Sequence, residues 1–291
     1  MKKIILLLLC ASKLCAQSPV VIAFDKVFVD CINQWVILQP KDSIFPFGFV
    51  YLDSQAGLTL DMAGHFTLKD STFVVEKEKN ASYKYRLSFQ ENIPVAIVPE
   101  AMYKKLDIQK VPDWLDAYKT DENSPQYMYA MGYLYNEWNE CAKAVPFLER
   151  AMEINPDFVS ANGSKLAVEL AFSYNCLNQS EKAISVLQTS LKNDSTDAYI
   201  YKELIYAQIK SDKMSDATVT FDSAIKACKN TEYNGENAFN ILATFFNKND
   251  MENFEKWLSV AKEWNEKNNT QLNNTYLNKI NAMENEINKK R

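Results

Sequence analysis

The chain has 291 residues, 47% of them hydrophobic, with 32 basic and 37 acidic side chains and a formal net charge of −5. That length accommodates two domains with apolar cores. The acidic balance excludes a surface built to displace counterions from nucleic acid or to grip anionic lipid.

The first residues, Met1-Lys2-Lys3 followed by the apolar run Ile4 to Leu9, have the form of an export signal over 1–16, with Ala16 before the cleavage point. The run is too short to span a bilayer, and no later segment approaches that length, so no transmembrane segment is expected. Lipid anchoring needs a small residue before the modified cysteine, whereas Cys10 and Cys15 both follow Leu. The expected location is therefore periplasmic or secreted.

Residues 17–112 read as a small β-rich domain. Val20 to Phe24, Gln34 to Leu38, Phe47 to Leu52, Leu58 to Met62 and Pro94 to Val98 are short apolar runs, and Phe66 to Val75 holds one or two more. Tyr83 to Phe89 alternates apolar and polar residues, the pattern of a half-buried strand. Turn residues at Pro40 to Ser43 and Asp53 to Gly57 separate the runs, which suits a small antiparallel sheet or sandwich. Residues 113–124 read as a linker.

Residues 125–270 are helical and repetitive. Gly132, Tyr135, Ala144, Leu148, Ala151 and Pro156 form one unit; Ala171, Tyr174, Ala183 and Leu187 a second; Leu204, Ala217, Phe221 and Ala224 a third. A degenerate fourth carries Ile241, Leu242, Phe245, Leu258 and Ala261, with Phe254 where a small residue stood before. The first interval exceeds the others, which places about five extra residues in the loop around Asp157 to Gly163. Residues 271–291 carry Leu272, Tyr276, Leu277, Ile280, Met283 and Ile287 at helical spacing, a polar-backed helix that caps the stack.

This half resembles the tetratricopeptide-repeat family, through its G-x2-Y, A-x3-F and closing-Pro pattern on a period of about 34 residues. Together with the β-rich reading of residues 17–112, the resemblance implies an α+β chain overall: a small antiparallel β domain, then an α-solenoid of three to four helical hairpins with a C-terminal capping helix. In the family, the first helix of each hairpin lines a concave groove that takes a peptide or a partner's helix. Carried onto this chain, the groove residues are Tyr129, Tyr133 and Asn136; Val168, Phe172 and Asn175; Lys202, Tyr206 and Ile209; and Phe239 and Phe246. Asn136 and Asn175 are expected to bond a peptide backbone, and Lys202 and Lys210 to meet a carboxylate. The expected partner is a protein or peptide segment, and the expected role an exported, non-enzymatic scaffold. The alternatives are a structural component of an envelope assembly, with the repeats as spacer, and a hydrolase.

No catalytic, metal or cofactor site is expected. His65 is the only histidine, which rules out metalloprotease and three-histidine zinc logic. Neither a P-loop nor a G-x-G-x-x-G stands in the sequence. Cys31, Cys141, Cys176 and Cys228 lack C-x2-C spacing and read as small buried hydrophobes, with disulfides the alternative in an oxidising compartment. Asn-x-Ser/Thr triplets at Asn80, Asn162, Asn178, Asn193, Asn268 and Asn273 read as Asn-rich composition rather than glycan acceptors.

Overall fold

A computed structural model of the chain describes residues 5–8, 20–53, 55–69, 72–77, 83–91, 93–158, 165–228, 233–268 and 270–290. The chain divides into two compact units, residues 1–130 with 137–139, and residues 131–136 with 140–291.

The first unit holds the strands β1 (Ile5–Leu8), β2 (Val20–Ala23), β3 (Gln34–Ile37), β4 (Ile44–Asp53), β5 (Gly57–Lys69), β6 (Thr72–Lys77), β7 (Tyr83–Arg86) and β8 (Ala96–Ile97). β1 and β2 form an antiparallel pair, so part of the expected leader lies along Val20–Ala23. The other six make one antiparallel sheet in the order β6-β5-β4-β3-β8, with β7 also paired to β5.

Alternation along β4 sends Phe45, Phe47, Phe49 and Tyr51 to one face, where they are buried with Trp35 and Phe66. Ring pairs fix that face: Phe45 stacks on Phe66 at 4.9 Å and Trp35 meets Phe49 edge-on at 5.2 Å. Val36, Val50, Leu58 and Leu60 are also buried, so the centre of the sheet is covered on both sides.

β5 joins two runs that the sequence reads as separate. The register with β4 shifts between Phe47 and Gly48, which pair with Gly64 and Met62 and leave Ala63 as the extra residue of a bulge. Gly64 has φ +148, and a Cβ there would lie 2.2 Å from the Glu76 carbonyl oxygen. The bend lets one edge of β5 pair with β6 over residues 64–69 and with β7 over residues 59–62.

Two expectations change. β7 is exposed along its whole length, with Tyr83 and Tyr85 facing solvent, so its alternation does not mark a half-buried strand. Its other face packs locally instead: Lys84 donates to the Tyr118 hydroxyl at 2.6 Å and lies 5.5 Å from the Trp114 ring. Asp113–Tyr118, within the expected linker, is a 3-10 helix that seats Leu115, Trp114 and Tyr118 against the aromatic core. Beside it stands α1 (Tyr103–Leu106), whose Leu106 is fully buried.

The helices that follow are α2 (Pro125–Glu137), α3 (Cys141–Ile154), α4 (Leu166–Cys176), α5 (Ser180–Asn193), α6 (Ala198–Lys210), α7 (Met214–Ala227), α8 (Tyr233–Asn247), α9 (Met251–Asn268) and α10 (Gln271–Lys290). They form four hairpins and a final single helix. One turn joins every pair. Asn139, Asn178, Asp212 and Asn249 each take a left-handed φ between 54° and 62°, a conformation Asn and Asp tolerate. Each is followed by the same backbone bond: Glu140 to Tyr135, Gln179 to Tyr174, Lys213 to Gln208 and Asp250 to Phe245. The fourth hairpin, degenerate in sequence, thus repeats the geometry of the first three.

Small residues set the helix spacing. Ala144, Ala183 and Ala217 are fully buried, and a Cβ on Gly132 would lie 2.3 Å from Leu148 Cγ. Pro146 lies inside α3, which continues through it. The loop expected to hold extra residues falls largely outside the described residues.

The cysteines depart from expectation. Cys141 and Cys176 form a disulfide between the start of α3 and the end of α4, with a sequence separation of 35. Stacking of adjacent hairpins brings the two thiols together, which spacing in the sequence does not reveal. Cys31 and Cys228 are free, and burial pushes the Cys31 thiol up to about 12.

Candidate functional site

The first helices of the hairpins, α4, α6 and α8, pack side by side, and α10 continues the row beside α8. α2 joins α4 through Asn136, whose Nδ2 donates to the Glu169 carbonyl at 3.0 Å and carboxylate at 3.1 Å. Ser173 Oγ donates back to Asn136 Oδ1 at 2.7 Å. Asn136 is buried in this exchange, so it orients Glu169 rather than offering an amide to a ligand.

The structure separates the remaining predicted groove residues by exposure. Phe172 and Tyr206 are 44% exposed each, at matching places on α4 and α6. Tyr133, Lys202, Ile209, Phe239 and Phe246 are half-buried. Tyr129 and Val168 are buried. Asn175 is buried too, and neither atom of its carboxamide has a partner. Phe239 stacks on Tyr276 of α10 at 4.6 Å, and Phe246 packs against Phe254 at 5.7 Å.

Both lysines expected to meet a carboxylate from outside already have partners within the chain. Lys202 Nζ lies 3.2 Å from Glu203 and 3.8 Å from Glu236, and 5.0 Å from the Tyr199 ring centroid. Burial alone would lower its pKa; the Glu203 and Glu236 carboxylates outweigh that and raise it, so it stays charged. Lys210 donates to the Asn175 carbonyl at 3.1 Å and caps the end of α4.

Residues outside the predicted set share this face. Tyr199 is 40% exposed, and its ring pairs with Tyr233 at 5.5 Å. Burial raises its pKa, as do Glu203, Glu169 and Glu236, while Lys202 opposes them. The resemblance supplies three positions per helix, but a helix face is wider than that. Glu169 and Glu203 each stand one residue after a predicted position, and Tyr199 and Glu236 each stand three before one. Residues three and four apart share a face, so the neighbouring turn was the available clue for Tyr199 and Glu236.

Among the described residues, no group of three or more His, Cys, Asp or Glu is placed to hold a metal ion. Nor is any helix among them long and apolar enough to cross a membrane. Asn273, one of the Asn-x-Thr positions, is buried and donates to Asn265 Oδ1 at 2.9 Å, which closes it to modification in the folded chain.

Comparison with known proteins bears on the helical half. A tetratricopeptide-repeat family profile matches residues 125–158. The anaphase-promoting complex subunit CDC16 of Saccharomyces cerevisiae is 28% identical over 103 residues, which is 35% of this chain and 12% of that protein's length. Among solved structures, residues 41 to the end of MamA from Desulfovibrio magneticus RS-1 align at 14% identity and TM-score 0.43, covering 54% of this chain and 83% of that one. YrrB, described as a TPR protein with an unusual peptide-binding site, aligns at 16% identity and TM-score 0.41, covering 56% and 75%. The profile match covers the first hairpin, and the three hairpins that follow repeat its turn.

Proposed function

We propose that this chain is an exported, non-enzymatic scaffold that holds a segment of a partner protein against the shared face of α2, α4, α6 and α8. One observation carries the reading. Phe172 and Tyr206 leave 44% of their surface in water at matching places on successive hairpins, 206 − 172 = 34 residues apart. Large rings left open at one repeat spacing are suited to anchoring a partner, since they offer contact area at low entropic cost. The leader-like residues 1–16 and the Cys141–Cys176 disulfide support a route through an oxidising compartment.

The test is recovery of a partner from cell-envelope extract with the purified chain as bait. Phe172→Ala with Tyr206→Ala is expected to abolish recovery and leave the thermal transition of the bait unchanged. Full recovery by the double variant overturns the groove reading. Mass spectrometry of the secreted protein tests export separately, with Gln17 the expected first residue.

A further inference from the structure

Sequence alone suggests that the lysines of the groove await a carboxylate. The structure gives both of them partners within the chain. Lys202 is held by Glu203 and Glu236, and Lys210 by the end of α4. Around Tyr199 stand three carboxylates, Glu169, Glu203 and Glu236, on three successive first helices, with Lys202 as their counter-ion. Lys279 lies over Phe239 at 5.6 Å, at the α10 edge of the same face. Over the whole face Lys202, Lys210 and Lys279 balance these three carboxylates, but around Tyr199 the carboxylates outnumber Lys202 three to one.

From these residues we infer that the groove selects a partner segment with basic side chains, a lysine or arginine seated among Tyr199, Tyr233, Glu203 and Glu236. The inference rests on the groove reading above and specifies the chemistry of its occupant. Two features point the same way. The carboxylates supply charge complementarity to a cation and repel an acidic segment. The Tyr199 and Tyr233 rings already hold an ammonium, that of Lys202, at 5.0 and 5.9 Å, so the site's fit to that group is visible.

The experiment is calorimetric titration of the full chain with three acetylated, amidated twelve-residue peptides. They are built of Ser and Leu and differ at two central positions, which carry Lys, Gln or Glu. The Lys peptide is expected to bind about tenfold more tightly than the Gln peptide, and the Glu peptide most weakly. Glu203→Gln with Glu236→Gln is expected to bring the Lys and Gln peptides to similar affinity. Lys202→Gln, which removes the internal competitor, is expected to tighten Lys-peptide binding severalfold. Equal affinity for all three peptides overturns the inference. So does a Lys preference that survives the double Gln substitution, or one indifferent to Phe172→Ala with Tyr206→Ala. If binding is charge-blind yet lost on changing Phe172 and Tyr206, the groove reading stands and only the charge assignment falls. If no peptide binds, both fall.

Discussion

The first two hairpins of the array are fastened to each other by a covalent bond, Cys141–Cys176, while the last hairpin is fastened to α10 by buried amides. Asn265 Nδ2 donates to the Gly235 carbonyl at 2.9 Å and to the Ala261 carbonyl at 2.8 Å, and Asn273 Nδ2 donates to Asn265 Oδ1. Thr270 Oγ1 donates to Asn273 Oδ1 at 2.5 Å and completes the relay. The disulfide acts through the unfolded chain, whose freedom it restricts, and is indifferent to small changes in nearby volume. The amide relay acts only in the folded state and needs every member satisfied. One end of the array is therefore sensitive to reduction, and the other to steric change.

Breaking the covalent end gives the largest expected effect. Closing a loop of 35 residues is worth about 4 kcal/mol in the chain-entropy account. Cys141→Ser with Cys176→Ser, or reductant, is expected to lower the urea midpoint accordingly. A midpoint unchanged by reductant would show that the bond contributes nothing. The steric end comes next. A Cβ on Gly235 would lie 2.4 Å from Asn273 Nδ2 and 2.7 Å from Asn265 Oδ1. Gly235→Ala is expected to destabilise by about 1–3 kcal/mol. That loss is expected to be the same in oxidised and reduced protein, because the two ends share no partner. Loss in one state alone would show that the ends are coupled.

The smallest effect concerns acid, and it touches neither fastening. Asp194 accepts from Lys165 at 2.8 Å and from Thr196, and these bonds, the Lys165 one foremost, hold its carboxyl well below the usual range. Its contribution is present above pH 4, the unfolded carboxylate range, and fades as pH falls through the lower folded value. Asp194→Asn is expected to reduce the loss of urea midpoint between pH 5 and pH 2. The carboxylate is partly exposed to water, so the change is expected to be small. An identical acid limb in the variant would remove Asp194 from the account.

Most of the array is legible in the sequence because its packing is local and periodic. Gly132, Ala144, Ala183 and Ala217 mark where helices touch, and no distant residue is needed to read them. The fourth hairpin was faint because Phe254 replaces the small residue, yet its turn Asn249 matches Asn139 and Asn178 in kind. The candidate site was half legible. Phe172 and Tyr206 follow from repeat position alone, but Val168, Tyr129 and Asn136, carried over from the same resemblance at other repeat positions, are buried. In the β unit, the aromatic alternation of β4 was visible, whereas the bulge that turns β5 toward two partners was not. It depends on Gly64 approaching the Glu76 carbonyl of another strand.

By itself the sequence determined the helical repeat, its caps and the aromatic character of one helix face, since each depends on neighbours within the same helix or hairpin. Only the tertiary structure decided which thiols join, which asparagines are used up in the fold and what charge the groove presents. Those outcomes depend on side chains from successive hairpins, Glu203 with Glu236 and Cys141 with Cys176, that meet only once the hairpins have stacked.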